Sequence, residues 1–404
     1  MRETIPALVM IVAIALTGCG AASPSATSST PTTALASPTP AAGVTSPSAT
    51  AGGFNTQSAR GIFALSTNQG FAYDSKALAN DFVTGYTYRK GWYDFEPSKD
   101  NYDFSALDST LSQLNAMGKK MSLDMLSTDK TEASYVADQP GVTTWVYTDQ
   151  NPRAPGYGQP VKKPVPWDPF VQSRFALFMQ QLANHQTPSP SGGTVAFRDN
   201  PALVQLVVII PGLGSIREGP GAAATPELTI LPGYTRDGFI QAILATLRAA
   251  VDNFPGKAIS IPFFQVTDNT STPPLMDAIS DAIQSEFDGV KNPKVGYFAE
   301  NLAAHNSGSG VVCSPDGSRE PLSLAKGKTW VALQMLEPWT HPSNGSSVPF
   351  NAAAIQGTIP TDAIDCANRL MGTTYFEVYV ADLLNPDWAS SFRVESARLL
   401  AMGT

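Results

Sequence analysis

The stretch FVTGYTYRKGWYDFEPSKDNYDF, residues 82–104, runs directly into SALDSTLSQLNAMGKK and then into the apolar segment MSLDML. Residues 82–88 alternate as a strand does, and they feed Arg89 and Trp92 into a loop. A Glu96-Pro97 turn follows, an amphipathic helix spans 104–117, and a second strand is expected at 120–126. This is one βα unit with polar residues at the strand end.

The same alternation continues outward. Strands are expected at 61–65, 82–88, 120–126, 204–210, 258–264, 294–298, 329–336 and 374–380. Helices are expected at 104–117, 169–183, 236–254, 274–287, 361–371 and 390–402, with a short one near 76–80 and none evident between the sixth and seventh strands. Runs such as LVQLVVII are almost wholly apolar, as when both faces of a parallel strand are buried. Strands that alternate with helices give an α/β protein, and about eight of them close a single (β/α)8 TIM barrel. A doubly wound sheet would need a Gly-rich phosphate loop after an early strand, and none follows Leu65, Tyr88 or Leu126.

With 404 residues, 43% of them hydrophobic, the chain can build one large core. The net charge of -8 comes without a basic cluster, which argues against a nucleic-acid partner. Arg2, the apolar run 5–16 and Leu16-Thr17-Gly18-Cys19 read as an export signal over residues 1–19. That ending resembles a bacterial lipobox, which implies a lipidated Cys19 and a protein held outside the cytoplasm on the cell membrane; the alternative is an ordinary signal peptide cleaved nearby. Residues 20–58 are Ala, Ser, Thr and Pro with few large apolar side chains, a disordered tether ahead of a domain at 59–404. No later run approaches the roughly 20 apolar residues of a membrane span. Cys313 and Cys366 are either bridged by a disulfide or two buried free thiols.

A TIM barrel carries its chemistry on the loops after the strands. Those ends hold Arg89, Trp92, Asp124, Trp167, Arg217, Glu218, Gln265, Glu300, Asn301, Glu337, Trp339 and Asp382. Carboxylates beside aromatic rings suit glycoside hydrolysis, in which two carboxyl groups flank one bond and flat rings cover the apolar face of a sugar. Other chemistries fit less well: His185, His305 and His341 show no zinc spacing, there is no GxSxG elbow, and Pro211-Gly-Leu-Gly-Ser lacks the Lys of a phosphate loop.

Trp92, Glu96-Pro97, Tyr102-Asp103-Phe104 and Leu107-Asp108, together with the segment Pro164-Val165-Pro166-Trp167-Asp168-Pro169, resemble clan A glycoside hydrolases, close to the barrel of the family 42 β-galactosidases. Asp100 stands where that family usually has Gly, and Asp tolerates a left-handed turn better than most residues. The resemblance implies an acid/base after the fourth strand and a nucleophile after the seventh, positions held by Glu218 and Glu337. Glu300 competes for the second carboxylate. Arg89, Trp92, Trp167, Glu300, Asn301, Trp339 and Glu377 are the expected substrate contacts, with Glu377 pointing into the barrel or pairing with Arg89, and Glu96 fixing the turn. The implied activity is cleavage of O-glycosidic bonds in an oligosaccharide or glycoside, with retention and without metal or cofactor. Two alternatives stand beside it. One is a carbohydrate-binding barrel without activity, suggested by Arg217 where many clan members have Asn. The other is a two-lobed solute-binding lipoprotein, which would need two sheets and a hinge.

Overall fold

A computed structural model describes residues 60–66, 75–125, 134–148, 157–213, 228–263, 266–268, 273–287, 294–307, 310–315, 325, 328–336, 338–340 and 359–402. The expected signal, the lipidation site Cys19 and the tether lie outside the described residues. Eight strands form the frame: β1 (Gly61–Leu65), β2 (Val83–Arg89), β3 (Lys120–Asp124), β4 (Leu203–Val207), β5 (Ala258–Pro262), β6 (Val295–Ser307), β7 (Val331–Met335) and β8 (Tyr375–Tyr379). Each pairs in parallel with the next, and β8 returns to β1, so the ring is closed. The helices α1 (Ser105–Ala116), α2 (Pro169–Asn184), α3 (Arg236–Asn253), α4 (Leu275–Glu286), α5 (Pro360–Met371) and α6 (Ala389–Ala401) alternate with the strands, each burying an apolar face. The fold is the expected TIM barrel. One closed sheet also overturns the two-lobed alternative, which required two sheets.

The expected elements recur within a few residues of their places, but three additions were not foreseen. Thr144–Thr148 pairs with Pro160–Pro164, and Gln186–Pro188 pairs with Thr194–Ala196, as antiparallel hairpins. Strand β6 runs on past Phe298 and pairs antiparallel with Gly310–Pro315. Helix α5 packs on this extension.

Register defines which side chains fill the ring. Neighbouring residues of a parallel pair point to the same face, and alternate residues along a strand share it. Thr87 and Tyr375 meet inside, their hydroxyls 3.4 Å apart although β1 lies between their strands. Phe63, Val207, Phe298, Ala332 and Tyr375 belong to one buried interior cluster. Gly85 faces the same interior, where an added Cβ would lie 2.6 Å from the Phe63 ring and 2.3 Å from the Lys120 carbonyl oxygen.

The stretch after β2 is held by a buried acid. Glu96 is fully buried and accepts from Trp92 Nε1 (2.7 Å), Tyr135 OH (2.8 Å) and the Asp100 backbone N–H (3.0 Å), and it pairs with Arg174 of α2. Asp100 takes the left-handed backbone expected of it, with φ 62°, and its carboxylate meets Arg174 Nη1 at 2.9 Å. Trp92 is completely buried, stacked on Phe178 and edge-on to Phe175. It therefore does not face substrate as expected; hydrogen-bonded to Glu96 and covered by α2, its ring belongs to the layer between strands and helices.

Removing one partner of a buried, multiply bonded ion pair strands the other's charge, at a cost of about 3 kcal/mol or more. Glu96→Ala is expected to lower the free energy of urea unfolding by that order, and Asp100→Asn, which removes the charge at an exposed side chain and keeps a residue suited to the left-handed backbone, by less than about 1 kcal/mol. Equal small losses in both variants would contradict the role given to Glu96.

Candidate functional site

At the C-terminal mouth β2 ends on Arg89 and β3 on Asp124, which are register neighbours. On the far side of β1, Gln334 of β7 and Glu377 of β8 are likewise neighbours. Arg89 reaches across to join the two pairs. Its Nε lies 2.8 Å from Asp124 Oδ2, and its Nη2 lies 3.5 Å from Glu377 Oε2 and 3.9 Å from Glu300 Oε1. The same Nη2 donates to Gln334 Oε1. Glu377 Oε1 accepts from Tyr375 OH at 2.8 Å, and Gln334 Nε2 stands 3.4 Å from Tyr379 OH.

Burial separates the roles of the three acids. Glu377 and Asp124 are buried beneath the guanidinium, whereas the Glu300 side chain is 29% exposed and is the one that opens to solvent. Loss of hydration pushes the Glu377 carboxyl up to about 8, with the Asp124 charge adding to the rise and Arg89 opposing it. Burial also pushes Asp124 up, to about 7, against the pull of Arg89 and with help from Glu300. Burial works against the charge on Arg89, but Asp124, Glu377 and Glu300 outweigh it and raise its pKa. The floor of the mouth can hold a proton near neutral pH, beneath a carboxylate that meets solvent. A guanidinium occupies the centre of the acids, and among the described residues no group of His, Cys, Asp and Glu is arranged to hold a metal ion.

The expected site residues separate into three groups. Arg89, Glu300 and Glu377 come together, and Glu377 both points into the barrel and pairs with Arg89. Glu218, Glu337 and the side chains of Asn301 and Cys313 lie outside the described residues. The chain on both sides of Glu337 is nevertheless fixed. The Leu336 N–H donates to Leu302 O at 3.0 Å. Beyond it, buried Asp382 accepts from Trp339 N (2.9 Å), Thr340 N (2.9 Å) and Thr340 Oγ1 (3.0 Å).

The remaining aromatic residues depart from expectation to different degrees. Trp339 is only 8% exposed and packs into the core, so it is not an open platform for a sugar. Trp167 is half-buried; its Nε1 donates to Pro232 O at 3.0 Å and its ring stands edge-on to Tyr234 and Phe239, bracing the segment ahead of α3. Asp168, next to it, caps α2 through the Phe170 N–H (2.9 Å) and takes the Thr143 N–H (2.8 Å) with its other oxygen. The segment Pro164–Pro169 thus ties a hairpin to a helix. Cys366 is disulfide-bonded, and its helix α5 packs on Gly310–Pro315, the strand that carries Cys313. Gln334, Tyr375 and Tyr379 were missed; the alternation in VALQM and YFEVY, once β7 and β8 were placed, would have put them on the face of Glu377.

No family model matches the chain, and no curated protein matches it by sequence. Among solved structures it is similar to the catalytic domain of a β-amylase from Paenibacillus polymyxa, at 11% identity over 83% of this chain and 97% of that one, with a TM-score of 0.47. It is similar to a psychrophilic glycoside hydrolase family 10 endo-β-1,4-xylanase at 12% identity over 79% and 86%, TM-score 0.44. It is also similar to endo-glycoceramidase II from a Rhodococcus species at 12% identity over 79% and 72%, TM-score 0.41. At these values the likeness is one of overall shape, and the chemistry has to come from the side chains of this site.

The raised carboxyls make stability depend on pH. A carboxyl that holds its proton more tightly folded than unfolded contributes stability that is fully present below its unfolded value, near 4.5 for Glu377, and lost as pH rises toward about 8. Wild type is therefore expected to lose stability from pH 5 to 8 more steeply than Glu377→Gln, which cannot ionise. Parallel curves of denaturant midpoint against pH would contradict the assignment.

Proposed function

We propose that this chain is a glycoside hydrolase that cleaves O-glycosidic bonds with a pair of carboxyl groups and retention of configuration. Glu337 is the nucleophile and Glu218 the acid/base, with Glu300 as the competing second carboxylate. The observation that carries the proposal is the fixed chain around Glu337: Leu336 is tied to β6 and Trp339-Thr340 to Asp382, at the rim where Arg89 gathers Glu300, Asp124 and Glu377. A nucleophile has to be held against its target, and the backbone anchors at Leu336 and at Trp339-Thr340 support the choice of the residue between them.

In the first step Glu337 attacks the anomeric carbon while the acid protonates the departing oxygen. Water then releases the sugar, and the acid, now a base, takes its proton. Arg89 places positive charge beside the carboxylates, and Glu300 offers an acceptor to a sugar hydroxyl. The substrate is a glycoside or oligosaccharide, in keeping with the resemblance to family 42 enzymes. The sequence of residues 1–58 supports export and attachment to the cell membrane through a lipid on Cys19.

On a panel of aryl glycosides, Glu337→Gln is expected to lower kcat/KM by roughly a thousandfold or more. The acid is identified by leaving-group dependence: its Gln variant loses little on a leaving group that needs no protonation and much on a poor one. That pattern is expected in Glu218→Gln and not in Glu300→Gln. Wild-type rates in Glu337→Gln would remove it from catalysis, and ligand binding without turnover in wild type would make the chain a binding barrel.

A further inference from the structure

Below Arg89 the barrel interior carries polar side chains that the mouth does not use. Ser122 is the register neighbour of Thr87 on one side and Gln205 on the other, so Gln205 faces inward with them. Ser260 is the neighbour of Val207, two residues beyond Gln205 on the same face. Gln205 and Ser260 are both completely buried. Neither the amide oxygen and nitrogen of Gln205 nor the hydroxyl of Ser260 has a hydrogen-bond partner among the described residues.

A primary amide can make four hydrogen bonds, two as donor and two as acceptor. Burying one with none made is costly, so such groups in folded proteins are met by ordered water when no protein atom serves. The neighbour of Gln205 has a short side chain, while a ring walls the side of Ser260. Gln205 faces Ala258 across the β4–β5 ladder, and Ser260 faces Gly296 across β5–β6, with the Trp330 ring filling the place of the absent Gly296 side chain. An apolar void would stay dry, but a niche offering an amide and a hydroxyl has the two to four polar partners that hold a water.

We propose that the interior of the barrel holds a buried water site, with the Gln205 amide and the Ser260 hydroxyl as its ligands. Its occupant is water because the niche is closed to solvent, has no charge of its own at Gln205 or Ser260, and lies inside the ring rather than on the mouth. The site is independent of the reaction assigned above and bears on the hydration of the floor formed by Asp124 and Glu377, which share this inner face.

The test is a crystal structure of the full chain at a resolution that shows ordered water, with oxygen-17 relaxation dispersion in solution to count long-lived internal waters. Wild type should show water within hydrogen-bond distance of Gln205 and Ser260. Gln205→Met, which keeps length but removes both polar atoms, should lose it and lower the solution count by at least one. Should Gln205→Met not fold, Ser260→Ala provides the second comparison, with the water lost and the count lowered. A Gln205 amide bonded directly to a protein atom with no water beside it, or an unchanged count in the variants, would overturn the proposal.

Discussion

Arg89 is a charge held among side chains at the mouth of a closed ring, and the arrangement around it follows from that constraint. A guanidinium withdrawn from water needs acceptors on several sides. They come from different strands: Asp124 from β3, Gln334 from β7, Glu377 from β8 and Glu300 from β6. Because β1 separates β2 from β8, the Arg89 side chain spans it and links strands that are not neighbours in the sheet. One cation set among three acids cannot neutralise all of them in a buried setting. The deeper two respond by favouring their protonated forms, and the one at the surface is left to meet solvent.

A second buried charge pair serves a different purpose. Glu96 and Arg174 sit outside the ring, between the loop after β2 and α2, where Glu96 gathers an indole, a phenol and a backbone amide. Both pairs involve an Arg and a Glu with little exposure. Their positions separate them: one faces the interior at the strand ends, and the other closes a turn against a helix. The first lies where a TIM barrel carries its chemistry, and the second fixes a turn on the outer layer.

Much of the frame was legible because the physical signals were redundant. Strands buried on both faces must be apolar, and eight such runs separated by helical patterns have few ways to close. The left-handed turn at Asp100 and the pairing of Glu377 with Arg89 were also readable, since a turn restricts residue type and a buried acid requires a partner. Trp92 and Trp339 show where the signal ends. An indole beside a strand end packs equally well above the barrel or behind it, and the choice is made by Phe175 and Phe178 for Trp92 and by the core for Trp339. The hairpin strands are short and carry mixed polarity, so no period marks them. Tyr375 and Tyr379 follow from alternation about Glu377 once β8 is placed, whereas Gln334 reaches the cluster through register with its neighbouring strand, which its own strand does not disclose.

The nucleophile proposed for attack on the anomeric carbon is Glu337, which follows β7 in the sequence. The most direct measurement is to incubate the protein with activated 2-deoxy-2-fluoroglycosides, which slow release of the covalent intermediate, and to map the added mass by peptide mass spectrometry. The account predicts one sugar per chain, on the peptide that contains Glu337. An adduct confined to another carboxylate would contradict it, as would turnover of aryl glycosides with no adduct under any of these reagents.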